Sequence, residues 1–251
     1  MRKTVVTLLV LTISLLVTYG CSWPFQYDSL RVGRDPTWYP LELHGRERNI
    51  LAFSDELFQS IANDLGLSVE FIDTNWSSSV EGLHQGKFDA LLTPLMPNPR
   101  NSTVYEFSEL YFHTGPVLIV LEESPIGSLD DLFDQELSVQ RGVSFSATVQ
   151  LFPSLNITPY ENYIVAIEEL IAGKSEGVVL ESVQAHAITQ GLYKNRVRMI
   201  PPPLTKEGLR LVELKNGKHG LVELFNHRLK ELKSSGKLNE LAKKWNLGTQ
   251  S

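Results

Sequence analysis

Apolar residues recur along this chain in two periods. Leu57, Phe58, Ile61, Ala62 and Leu65 share one face at helical spacing, which predicts an amphipathic helix over 54–65. Ser54 reads as its N-cap, Asp55 and Glu56 suit its positive end, and Gly66 ends it. A second helix opens at Trp76-Ser77-Ser78 and carries Val80 and Leu83. A third spans Asn162 to Ala172 with Ile164, Ile167, Leu170 and Ile171, closed by Gly173. Leu221, Leu224, Phe225, Leu229 and Leu232 form a further stripe, Gly236 breaks it, and Leu238 to Trp245 forms a last one. Between these helices lie short apolar runs that read as buried strands: 30–34, 67–72, 89–93, 117–121, 137–140, 176–181, 197–200 and 209–214. Strands alternating with helices make this an α/β chain.

One stretch changes character abruptly. After the turn at Gly86-Lys87, the run Asp89-Ala-Leu-Leu-Thr93 breaks on Pro94, Pro97 and Pro99, so the chain leaves the sheet as an irregular loop. Arg100 follows at once. An arginine just past a strand end stands where open α/β sheets bind ligands, and its planar fork suits a carboxylate. On spacing alone Arg100 is either such a clamp or one more solvated surface charge.

At 251 residues the chain is long enough for one large domain or two small ones. Its formal charge is -6, and removing the first 20 residues with Arg2 and Lys3 leaves 21 basic against 29 acidic residues, or -8. That balance argues against nucleic acid as a partner. Residues 1–20 read as an export signal: Arg2-Lys3 is the basic start, and Val5 to Val17 is apolar but too short to span a bilayer. Cys21 is the only cysteine, which excludes a disulfide framework. The six histidines lack metal-ligand spacing, and no phosphate-binding glycine loop or nucleophile elbow occurs, so no cofactor is expected. The chain has no repeat and no low-complexity segment.

Two resemblances sharpen this reading. The run Leu16-Val-Thr-Tyr-Gly-Cys21 resembles a bacterial lipobox, which implies a lipidated Cys21; ordinary signal cleavage nearby is the alternative. The run from Asp89 through Thr93 to Arg100, then Glu106-Phe-Ser108 and Tyr111-Phe112, resembles the signature of the family 3 extracellular solute-binding proteins, the polar amino-acid receptors of ABC importers. The opening Gly33, Asp35, Thr37, Pro40 and Glu42 also match, as does the ending from Ser234 to Leu247. The likeness covers about residues 30–248. It departs in the loop, which is one residue shorter and has Pro94-Leu95-Met96 in place of G-M-S/T; Pro97 offers no N–H there.

The resemblance implies a two-lobed periplasmic-binding type II fold with two interlobe crossings. Lobe one is residues 28–115 plus 206–251, and lobe two is 116–205. It implies that Arg100 and Ser144 hold a ligand carboxylate and Glu181 its ammonium. Trp38, Trp76 and Asp35 would read the side chain, with Thr93 at the end of the signature strand. Each has a plainer alternative: a core role for Trp38 and Trp76, a turn cap for Asp35, an N-cap for Ser144, and a helix-capping carboxylate for Glu181. Arg34 replaces a usual threonine and has no assigned role. The implied protein is a monomeric amino-acid receptor outside the plasma membrane, anchored by lipid, that closes on its ligand and docks on an ABC permease. Arginine or glutamine is the expected ligand, because ring faces and a carboxylate together suit a guanidinium. A cyclohexadienyl dehydratase-like enzyme and a ligand-sensing input module are the rival classes.

Overall fold

The computed structural model describes residues 29–41, 43–140, 154–217 and 220–248. The export signal, Cys21 and Ser144 lie outside the described residues.

Two sheets divide the chain into two lobes. The first contains β1 (Leu30–Arg34), β2 (Val69–Asp73), β3 (Ala90–Thr93), β4 (Tyr105–Phe107), β5 (Phe112–His113) and β11 (Gly208–Leu214). Its order is β2-β1-β3-β11-β4, with β5 also on β11. β1 runs parallel to β2 and β3, whereas β11 runs antiparallel to β3, β4 and β5. The second sheet contains β6 (Pro116–Leu121), β7 (Glu136–Gln140), β8 (Asn156–Tyr160), β9 (Gly177–Glu181) and β10 (Val197–Ile200), in the order β10-β6-β9-β7-β8. Parallel pairs in each sheet need crossover helices. These include α1 (Glu47–Asp64) and α2 (Trp76–His84) in lobe one and α3 (Tyr163–Ile171) in lobe two, while α4 (Ser182–Gln190) links β9 to β10 on the other side of β6. The C-terminal α5 (Leu221–Ser234) and α6 (Lys237–Lys244) return to lobe one.

Most residues of the apolar stripes read from the sequence face the cores, but Ile164 of α3 and Leu224 of α5 lie exposed at 43% and 40%. Leu57, Phe58 and Ile61 of α1 pack with Leu221, Phe225 and Leu229 of α5 in one cluster, and Ile167 and Leu170 of α3 pack with Val178 and Leu180 of β9 in another. The first helix, however, begins at Glu47 rather than near residue 54. Ser54 is buried within it, donating to the Ile50 carbonyl one turn back at 2.7 Å and accepting the Tyr111 hydroxyl at 3.1 Å. A serine that bonds to the carbonyl four residues back does so inside a helix, so its capping chemistry misleads a local reading. β8 also escapes the apolar pattern. Only Tyr160 of its five residues is buried, and Pro159 marks it as an edge strand.

Two segments cross between the lobes, at residues 113–116 and 201–208, and they lie against each other. Thr114 donates its N–H to the Glu207 carbonyl at 3.1 Å, and Leu204 donates to the Pro116 carbonyl at 2.7 Å. The approach leaves no room for side chains at two glycines. A Cβ on Gly115 would stand 2.4 Å from Thr205 Oγ1, and one on Gly208 would stand 2.1 Å from the Phe112 carbonyl oxygen.

Candidate functional site

The strand ends fix where a site forms. Thr93, the last residue of β3, pairs with Arg210 of β11, two residues from the crossing at Gly208. Glu181, the last residue of β9, pairs with Pro116, where the other crossing enters β6. The carboxyl ends of a central strand from each lobe therefore converge on the hinge, the place where α/β sheets bind ligands.

Lobe one contributes the turn after β1. Asp35 is buried, and Oδ1 accepts the Thr37 N–H at 2.9 Å and its hydroxyl at 2.6 Å. Oδ2 accepts the Trp76 N–H, the first of α2, at 2.8 Å. A carboxylate has about four acceptor sites, so three are committed to the scaffold. Asp35 is thus a brace between β1 and α2, and the turn-cap alternative describes its bonds. Trp38 takes the core role and not the ligand-facing one. It is 0% exposed within the lobe-one core, with its indole N–H donating to the Glu47 carbonyl at 3.3 Å. Its backbone is left-handed, with φ at 57°. No ring face is presented to a ligand. The next residue, Tyr39, is 60% exposed and meets half-buried Trp76 edge-on, with ring centroids 6.3 Å apart. The accessible aromatic pair is therefore Tyr39 with Trp76, and Tyr39 escaped the sequence reading because it occupies a proline position of the pattern.

Arg34 turns away from the turn. Its guanidinium binds Asp55 and Asp73 and sits over the Phe71 ring at 4.7 Å.

Thr93 is buried, and its hydroxyl accepts the Leu95 N–H at 3.2 Å, which starts the proline loop. Asn98 and Asn101 then hold the loop as an Asx-type turn. Asn98 Oδ1 accepts the Arg100 and Asn101 N–H groups at 3.0 and 2.9 Å, and Asn101 Oδ1 accepts the Asn98 N–H at 2.7 Å. This tie fixes the backbone of Arg100, while its exposed guanidinium makes no hydrogen bond or ion pair among the described residues. The side chain is held at its root and free at its tip.

Lobe two contributes Glu181. It is half-buried and precedes α4 without a side-chain capping bond to that helix. Burial, then the negative charge of Glu181, push the nearby Tyr160 phenol up from its ordinary pKa. Ser182 donates to the His113 carbonyl at 3.1 Å, joining the start of α4 to the first crossing. One neighbour of Thr93 has no precursor in the sequence reading. Arg210 is only 6% exposed, although arginines are rarely so buried. Among the described residues, no His, Cys, Asp or Glu group could hold a metal, and no helix is long and apolar enough to cross a membrane.

Comparison with known proteins agrees with this architecture. The model of the bacterial extracellular solute-binding proteins, family 3, matches residues 30–249. The arginine-binding extracellular protein of Bacillus subtilis is 24% identical over 226 residues, 87% of this chain and 86% of that one. The ABC transporter glutamine-binding protein of the same organism is 25% identical over 203 residues, 78% of this chain and 72% of its own. Among solved structures, the unliganded, open L-cystine solute receptor of Neisseria gonorrhoeae superposes with a TM-score of 0.65 at 21% identity, covering 88% of this chain and 95% of that one.

Proposed function

The chain belongs to the bacterial extracellular solute-binding proteins, family 3, and from that premise we propose that it captures an amino acid outside the plasma membrane and delivers it to an ABC permease. Arg100, with Ser144, binds the α-carboxylate, and Glu181 binds the α-ammonium. The observation that supports this reading is the convergence of β3 and β9 on the crossings: the strand that leads into the Arg100 loop and the strand that ends at Glu181 both end at the hinge. A guanidinium without an internal partner gains a charge-assisted, bidentate pair when a carboxylate arrives. The ligand then bridges both lobes, so the closed form binds it more tightly than the open form and closure follows.

The side chain is a polar or basic one, arginine first and glutamine second. Support comes from the named ligands of the two Bacillus relatives and from exposed Tyr39 beside half-buried Trp76, rings that suit a guanidinium. Asp35 contributes its negative charge and one remaining acceptor site rather than a free carboxylate. The working unit is a monomer that binds without turnover, with lobe boundaries at the crossings. A thermal-shift screen against the proteinogenic amino acids tests the reading, since a ligand of the folded form alone raises the melting temperature. Arginine is expected to give the largest shift; no shift with any amino acid refutes it.

The protein is exported and anchored by lipid on Cys21. The lone cysteine after a short apolar segment supports this. A Cys21→Ser variant is expected to leave the membrane fraction, because buried acyl chains supply the affinity. Soluble wild type would refute the anchor.

A further inference from the structure

A second feature lies beside the hinge. Arg210 enters β11 just after the second crossing, 94% buried. Its Nη2 donates to the Lys206 carbonyl at 3.2 Å, but its Nε is buried without a hydrogen-bond partner among the described residues. A buried cationic donor left unmade is costly, so something outside the chain is expected to meet it. Arg210 lines a cavity of about 470 Å³ shared with Lys206 from the second crossing, His113 from the first and Lys233 from the end of α5. Three cationic side chains thus face one carboxylate, Glu109. That carboxylate is exposed and stands 3.6 Å from Lys233, whose Nζ also donates to the Leu110 carbonyl at 3.1 Å. Burial, then Lys233 and Arg210, lower the His113 pKa, so the cavity disfavours a further cation there. Met96 and Pro97 close the far side.

We propose that this cavity binds a small oxyanion, with Arg210 as its buried anchor and Lys206 and Lys233 as the outer cations. The unmet Nε donor and the cationic excess call for acceptor oxygens, and the volume admits an inorganic phosphate or a short organic carboxylate. Because Lys206 and His113 belong to the two crossings and Met96 and Pro97 to the loop of Arg100, an anion there touches the parts that move on closure. The site goes beyond the amino-acid reading and stands without it.

The test is calorimetric titration of the amino-acid-free protein in an oxyanion-free buffer, with sodium phosphate in one arm and sodium succinate in the other. Sodium chloride at matched ionic strength is the control. Saturable binding of phosphate identifies an inorganic source, and saturable binding of succinate a carboxylate; either supports the site when it persists in Arg100→Ala, which removes the amino-acid clamp. Arg210→Met is expected to weaken that binding at least about tenfold, as removal of the buried cationic anchor should. Should Arg210→Met fail to fold, Lys206→Ala at an exposed position carries the test, with the same direction of effect. No saturable binding of either anion, or binding unchanged in the variants, overturns the proposal.

Discussion

Asp35 Oδ2 accepts the backbone N–H of Trp76 across the gap between the end of β1 and the start of α2. The same carboxylate satisfies the N–H and hydroxyl of Thr37 through its other oxygen. One short side chain therefore fixes both the turn that buries Trp38 and the helix start that presents Trp76. Asp35→Ala leaves three part-buried donors unmet and should destabilise the fold by about 1–3 kcal/mol. Urea denaturation measures this, and a loss near zero would mean that water replaces the carboxylate.

Arg100 stands on the opposite footing. Its guanidinium is exposed and supports nothing among the described residues, so Arg100→Ala should leave stability within about 0.5 kcal/mol of wild type. Losing a charged pair in a closed cleft should cost about 2–5 kcal/mol of binding. Calorimetry with the ligand found by screening checks both halves, and unchanged affinity rules Arg100 out as the clamp.

The hinge depends on close backbone approach. A methyl group on Gly115 would meet Thr205 Oγ1 at 2.4 Å and its carbonyl oxygen at 2.9 Å. The hydroxyl can rotate away, but the carbonyl belongs to the other crossing. Gly115→Ala should therefore cost about 1–3 kcal/mol as an overpacking defect. Gly127→Ala, whose Cβ would meet only Asp131 Oδ2 at 3.7 Å, is the matched control and should be nearly silent. Equal midpoints in denaturant for the two variants would show that the crossings part easily.

Acid should loosen the hinge region before it reaches the carboxylates. Burial lowers the pKa of His113, with Lys233 and Arg210 adding to it, and burial with Arg46 does the same for His186. The unfolded histidines take up protons near their ordinary pKa of about 6.5, while the folded ones resist until lower pH. The unfolded state then binds more protons, so stability is full above that range and falls as pH drops through it. Glu56 and Asp131, whose pKa values are held down by Lys244 and by the Gly127 N–H respectively, add their losses only in the carboxylate range. Denaturation curves from pH 8 to pH 5 should show a fall that shrinks in His186→Gln, which cannot titrate. An identical pH slope in that variant would contradict the assignment.

Much of this was legible along the chain. The apolar stripes of α1, α3 and α5 have a fixed period, and burial of most of each face follows from it, with Ile164 and Leu224 left at the exposed margin. The strand β3 and its proline loop were equally plain, since proline chemistry acts locally. Asn162 capping α3 through the Ile164 N–H at 2.9 Å is local too.

What the tertiary structure decided is everything that depends on which partner a residue meets. Trp38 and Tyr39 are neighbours with similar rings, yet one is sealed in the core and the other lies open, because the left-handed turn held by Asp35 sends them to different sides. Asp35 was visible as a carboxylate in a turn, but its third bond goes to Trp76, 41 residues away. Arg210 looked like one charge in an apolar strand and gave no local signal. Only the pairing of β11 with β3, and the return of α5 to the hinge, bury it beside Lys233 and leave its Nε unmet. Periodicity and backbone chemistry are properties of a segment and can be read from it; a buried charge acquires its meaning from groups that only folding brings near.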